Sequence, residues 1–317
     1  MKKKTIATVL GGLGAAVGAL TLTGNYFYKT AVANTKKPFI EEFDHATIHP
    51  DDPWAAEKQW YNDVDHEVTQ IVSEDGLTIS GVYIPAEKPS SKVALIAHGY
   101  SGSLKDMAPF AKLFYDLGFN ILVSDARGHG SSEGNYIGFG WHERNDYLRW
   151  IDQMIQRHGE QSEIILYGIS MGGATVLNVS GEKLPEQVKA IVEDCGFSSV
   201  EEEVTHQLKD MYKLPKFPLV QMTSLVTKIR AGYWFEEASS LEQVKKNQTP
   251  TLFIHGDADH FVPTWMVYEL YEANASPKEL YIVPGAEHAY AYVTDKAMYR
   301  RRVSCFLEKY VSLDHTL

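Results

Sequence analysis

Short apolar runs and amphipathic stretches alternate along the chain, and from residue 67 onward the alternation is regular. Runs rich in Val, Ile and Leu predict strands at Glu67–Val72, Leu77–Ile84, Val93–His98, Asn120–Asp125, Ile164–Gly168, Val188–Glu193, Thr251–His255 and Glu279–Val283. Several are apolar almost throughout and end in Gly or Asp, the pattern of strands covered on both faces. Between them, Tyr147, Trp150, Ile151, Met154 and Ile155 recur at the spacing of one helix face, and Val303, Phe306, Leu307, Tyr310 and Val311 repeat it near the end. Strand–helix alternation of this kind predicts an α/β fold: a mostly parallel, eight-stranded sheet with helices on both faces. The two leading strands, joined through Glu74-Asp75-Gly76, read as an antiparallel hairpin.

Three segments depart from the rhythm. Residues 197–248 contain helical stretches broken by KLPKFP and no convincing strand, so they are expected to form a small helical lid inserted between core segments 67–196 and 249–317. Residues 34–66, with NTKKP, DDP and scattered aromatics (Phe39, Phe43, Trp54, Trp60, Tyr61), read as a tether that becomes an arm lying on the domain. Residues 1–33 read as a membrane anchor or signal segment. Three lysines precede a run, residues 5–28, that carries no charge and is long enough to cross a bilayer. The lysines favour an inside N-terminus, which places the main domain outside the cytoplasm as a single-pass membrane protein. Ala31-Val32-Ala33 offers a signal-peptidase site, with secretion as the alternative, although it lies further from the apolar region than such sites usually do.

Composition narrows the function classes. A formal net charge of −11 with acidic residues spread along the chain argues against a nucleic-acid surface, which needs a basic stripe. Cys195 and Cys305 are too few for a disulfide framework and form no C-x-x-C, so no metal or redox motif is suggested, and both are expected to be reduced core residues.

The chemistry gathers at Gly168-Ile169-Ser170-Met171-Gly172, a G-x-S-x-G pentapeptide at a strand end with a helix to follow. Such a turn is tight enough to exclude flanking side chains. It strains the serine backbone, lifts Oγ clear of the sheet and aims the next amide, that of Met171, the same way. A helix N-cap serine beside close-packed glycines would give the same five letters. A serine hydroxyl needs a base, and the base needs an acid to fix its tautomer. In this architecture they follow in the order Ser, Asp or Glu, His, on loops after strands. TLFIHGDADHFVP supplies a strand and a turn bearing Asp257 and Asp259; ELYIVPGAEHAY supplies a strand and a loop bearing His288.

Together with HGYSGS at 98–103, DARGHGSSEG at 125–134, GISMGG at 168–173 and HGDADHFVP at 255–263, these residues resemble the α/β-hydrolase superfamily over nearly everything from residue 67 onward. More closely, they resemble a bacterial subgroup of membrane-anchored or exported serine hydrolases related to carboxylesterases and monoacylglycerol lipases. The resemblance implies Ser170 as nucleophile, His288 as general base and then acid, and Asp259, four residues after His255, as the acid; Asp257 and Asp194 are the rivals. It implies an oxyanion hole formed by the amides of Met171 and Tyr100. Turn histidines His98, His129, His255 and His260 are expected to make structural hydrogen bonds. The expected activity is that of a carboxylesterase acting on short- or medium-chain acyl esters through an acyl-serine, with no cofactor or metal. Lipase, thioesterase or peptidase-like hydrolysis are the enzymatic alternatives; a non-catalytic cell-surface binding module is the alternative of another class. Met211, Tyr212, Leu214, Phe217, Leu219, Met222, Leu225 and Val226 are candidates for an acyl pocket in the lid.

Overall fold

The computed structural model describes residues 18, 20–35, 48 and 51–313. A helix over residues 20–31, α1, comes first. It is followed by α2 (Ala55–Asp63), the hairpin β1 (Glu67–Val72) and β2 (Thr78–Ile84), β3 (Lys92–Ala97), α3 (Ala108–Asp116), β4 (Asn120–Ser124) and α4 (Glu143–His158). Then come β5 (Glu163–Ile169), α5 (Met171–Ser180), β6 (Val188–Asp194), α6 (Val200–Tyr212), α7 (Leu219–Ala231) and α8 (Ser240–Val244). The chain closes with β7 (Thr251–Gly256), α9 (Trp265–Ala273), β8 (Lys278–Val283), α10 (Ala291–Thr294) and α11 (Lys296–Leu307).

The strands form one eight-stranded sheet in the order β1-β2-β4-β3-β5-β6-β7-β8. β1 and β2 pair antiparallel, as does β2 with β4, and the pairings from β4 through β8 are parallel. The pleat sorts side chains between two cores. On β3, Ala94 and Ile96 join Phe110, Phe114 and Phe306 on one face. Val93, Leu95 and Ala97 join Trp150, Ile151 and Val179 on the other. That explains why the central strands lack polar alternation: neither face meets water. On α4 the expected stripe Tyr147, Trp150, Ile151 and Met154 is buried. The C-terminal helix ends at Leu307, so Tyr310 and Val311 pack from a turn beyond it.

Several expectations need correction. α8 sits in the body, where Val244 packs with Leu177, Phe253, Val267 and Leu270. The helical cap is therefore α6 and α7, narrower than 197–248. In the arm, Trp54 packs near Phe110 and Tyr292, and Trp60 near Tyr115; Phe39 and Phe43 lie outside the described residues. Cys195 is buried but Cys305 is exposed, and both are free.

The N-terminal expectation changes most. No helix among the described residues is long and apolar enough to cross a membrane, and residues 1–17 lie outside the described residues. Within the uncharged run, α1 is docked on the domain: Tyr28 and Val32 are buried in a cluster with Phe139, Met171, Phe197 and Val220. Val32 O accepts the Ile137 amide at 2.7 Å, and Ala33 bridges Tyr136 in antiparallel fashion. Ala31-Val32-Ala33 is thus built into the fold.

Candidate active site

The pentapeptide lies where β5 passes into α5. A Cβ on Gly168 would sit 2.0 Å from the carbonyl oxygen of Gly172, and one on Gly172 would sit 2.1 Å from that of Ala97. Only hydrogens fit in either place. Ser170, between them, is held at φ 57° and ψ −119°, outside the regions non-glycine residues ordinarily occupy. Its amide is tied to Asp194 O at 2.8 Å, and its carbonyl accepts from Ala174 at 3.0 Å. Strand and helix therefore fix the strained residue from both sides.

His288 comes from the loop after β8 and Asp259 from the turn after β7. His288 Nε2 is 2.8 Å from Ser170 Oγ, and Nδ1 is 2.7 Å from Asp259 Oδ2. A carboxylate only accepts, so Nδ1 carries the proton and donates; Nε2 is then the acceptor, and the Ser170 hydroxyl donates to it. The other carboxylate oxygen, Oδ1, accepts the amides of Phe261 and Val262, each at 2.9 Å. His255 Nε2 lies 3.2 Å from Asp259 Oδ2 and 2.9 Å from Val262 O. Burial alone would raise the Asp259 pKa, but the hydrogen bonds from His255 and His288 outweigh it and bring it down to about 2. Asp259 is thus held ionised beside the His288 ring.

The rival carboxylates are engaged elsewhere. Asp257 Oδ1 accepts the Gly285 amide at 2.6 Å, joining the turn after β7 to the loop after β8. Asp194 accepts from Tyr299 Oη at 2.8 Å. Burial pushes its pKa up to about 6 against that bond, whereas that of Asp259 is lowered.

Met171 is the first residue of α5, so its amide has no acceptor within the helix and stands at the positive end of the helix dipole. Tyr100 faces the same cavity as Ser170 and Met171. Its loop is clamped by histidines. His129 Nε2 lies 2.8 Å from Tyr100 O. His98 Nε2 accepts the Ala126 amide at 2.9 Å, which leaves Nδ1–H to donate to Gly99 O at 2.7 Å. Burial depresses the His98 pKa to about 3, so this ring stays neutral. His260 is exposed, and its carbonyl accepts from His206 Nε2 at 2.8 Å. Behind His129, buried Arg127 bonds Asp146 through Nε at 2.9 Å and Nη2 at 2.7 Å, and Asp75 through Nη1 at 2.8 Å. This network pins the loop after β4 to α4 and the β1–β2 hairpin. Nothing in the spacing of the sequence announced it.

The cavity above Ser170 is almost wholly apolar. Met211, Tyr212 and Leu219 line it as expected. Leu214, Phe217 and Leu225 instead face outward, and Met222 and Val226 are not among the lining residues. Helical periodicity marks apolar positions but not which of two apolar surfaces each serves. Sequence reasoning missed Phe139 and Phe197, and also Phe27, Thr30 and Ala31 of α1. As for a metal, Cys195, Asp259 and His288 bring ligand-type atoms within 4.8 Å of one another among the described residues, but Asp259 and His288 are already committed to the chain of hydrogen bonds ending at Ser170.

Residues 88–237 match the family model described as serine aminopeptidase, S33. Esterase Pf2001 of Pyrococcus furiosus superposes with a TM-score of 0.65 at 25% identity, covering 78% of this chain and 94% of that one. The chain has the α/β-hydrolase fold. Two curated relatives carry the description uncharacterized protein: YqkD of Bacillus subtilis is 29% identical over 95% of this chain and 97% of its own length. YfhR of Escherichia coli K12 is 27% identical over 77% and 78%.

Proposed function

We propose that this α/β hydrolase is a serine carboxylesterase acting on short- or medium-chain acyl esters. The observation that carries the reading is the unbroken hydrogen-bond chain Asp259–His288–Ser170, ending at a strained serine on the floor of an apolar cavity. Ser170 Oγ adds to the ester carbonyl as His288 Nε2 takes its proton. The amides of Met171 and Tyr100 receive the negative charge forming on the carbonyl oxygen; losing one such donor typically costs ~10²–10³ in rate. His288 returns the proton to the leaving alcohol, leaving an acyl-serine and a neutral imidazole. Water, deprotonated by the same nitrogen, attacks the acyl carbon; the tetrahedral intermediate expels Oγ, which recovers its proton.

An apolar cavity suits an acyl chain better than a peptide, whose amides would lose their hydrogen bonds to water inside it. The aminopeptidase reading is favoured by the family model's description alone. Release of p-nitrophenol from graded acyl esters, compared with release of p-nitroaniline from amino-acid anilides, separates the two. Ester turnover that vanishes in Ser170→Ala supports the proposal; anilide turnover without ester turnover refutes it.

The reading also holds the domain at a membrane, outside the cytoplasm, through the segment that begins with three lysines and continues without charge. Docking of α1 leaves residues 5–17 as the uncharged stretch beyond it. Recovery of the full chain in a carbonate-washed membrane fraction supports this placement; recovery in the soluble fraction contradicts it.

A further inference from the structure

The N-terminal helix was expected to serve only as an attachment, yet it stands in the wall of the catalytic cavity. Phe27, Thr30 and Ala31 line the same space as Ser170. Phe27 meets Tyr212 of the cap edge-on, with ring centroids 5.4 Å apart, and the Tyr100 hydroxyl donates to Ala31 O. The helix is seated closely. A Cβ on Gly24 would come within 2.8 Å of Met222 O and 3.0 Å of Met222 C, so α1 and α7 touch backbone to backbone. Arg230 lies over the Tyr28 ring at 5.2 Å. At the far end, Val32 and Ala33 are fastened to residues 136 and 137.

We propose that α1 is a specificity element of the active site, with Phe27 and Ala31 limiting the length of acyl chain the cavity admits. The proposal rests on the esterase reading and extends it. It also makes loss of the N-terminal segment consequential: cutting after Ala33 would remove all three α1 residues from the cavity wall. Steric exclusion is the mechanism. A cavity closed by an aromatic ring rejects the methylenes that would overlap it, and each methylene newly admitted to apolar surroundings is worth about fourfold in kcat/KM.

The test uses the full chain and p-nitrophenyl esters from acetate to dodecanoate. Phe27→Ala is expected to raise kcat/KM for the longer esters relative to butyrate by about tenfold or more, the equivalent of two methylenes at that factor. Ala31→Phe should move the same ratio the other way. Gly24→Leu, which forces α1 off Met222, should flatten the chain-length preference. Labelling by a fluorophosphonate, read in parallel, distinguishes the two levels of the argument. A wild-type chain that labels at Ser170, with length profiles unchanged within twofold in all three variants, overturns the role of α1 and leaves the esterase reading standing. A uniform fall for every ester, with ratios kept, marks α1 as structural only and overturns it too. A folded wild-type chain that does not label removes both.

Discussion

Replacing Asp259 by Asn separates this site from its neighbours most sharply. The two backbone amides at 2.9 Å, those of Phe261 and Val262, both need an acceptor at Oδ1. The Asn oxygen must stay there, which places its NH₂ at the position of Oδ2, 2.7 Å from His288 Nδ1. An NH₂ donates, so Nδ1 must become the acceptor and the ring proton moves to Nε2. There it faces Ser170 Oγ at 2.8 Å, where an acceptor is required. A wrong tautomer of this kind typically costs ~10⁴ in kcat, or ~5 kcal/mol of barrier. Asp257→Asn keeps an oxygen for the Gly285 amide and should stay within about fivefold of wild type, or about 1 kcal/mol. The assay is kcat/KM for p-nitrophenyl butyrate, with circular dichroism as the check on folding. Asp259→Asn retaining activity within about tenfold of wild type, or Asp257→Asn falling as far, would refute the reasoning. The same substitution has a stability signature. The Asp259 pKa of about 2 lies below its ordinary value of 3.8. Its contribution, about 2 kcal/mol, is therefore present above pH 3.8 and lost as pH falls through 2. Asp259→Asn should remove that part of the acid limb in denaturation experiments.

Further outcomes follow from groups around the site. Glu203 is buried, and burial raises its pKa from 4.5 to about 8, with a side-chain hydrogen bond from Gln207 opposing; the unfolded chain releases this proton first, so stability falls as pH rises from about 4.5 to 8. Glu203→Gln should flatten that decline and raise Tm at pH 8.5, read by differential scanning calorimetry; an unchanged slope would count against it. Arg127→Ala leaves buried Asp146 without its 2.7 Å partner and should cost about 3–5 kcal/mol in urea unfolding, with less than 1 kcal/mol weighing against a structural role for the pair. Gly168→Ala places a methyl 2.0 Å from Gly172 O and should abolish activity with at least partial loss of fold; a folded, active variant would contradict the steric account of the turn.

What was legible in the sequence follows from what the physics leaves no freedom to vary. The central strands were found within one or two residues because both faces are buried, and an apolar run has no other use in a chain of this pattern. The turn at Ser170 was readable because close backbone approach demands glycine at 168 and 172. By itself the turn bearing Asp257 and Asp259 left two candidates. Only coordinates show which carboxylate faces His288 and which holds Gly285. Arg127 and Asp146 lie on different elements, and charges that meet across a fold leave no local pattern. The cap was half legible: its helices were expected, but outward-facing Phe217 and cavity-lining Met211 look alike in one dimension. α1 was the deepest ambiguity. An uncharged, glycine-rich run suits lipid, and it equally suits close packing against α7 at Gly24.

The central claim is that the hydroxyl at 170 is the group that attacks substrate. Mass-spectrometric mapping of a fluorophosphonate adduct on the full chain tests it directly. The expected result is a single adduct on Ser170, absent from Ser170→Ala and slowed at least a hundredfold in His288→Ala. A folded, unlabelled protein, or an adduct carried by another residue, would contradict it.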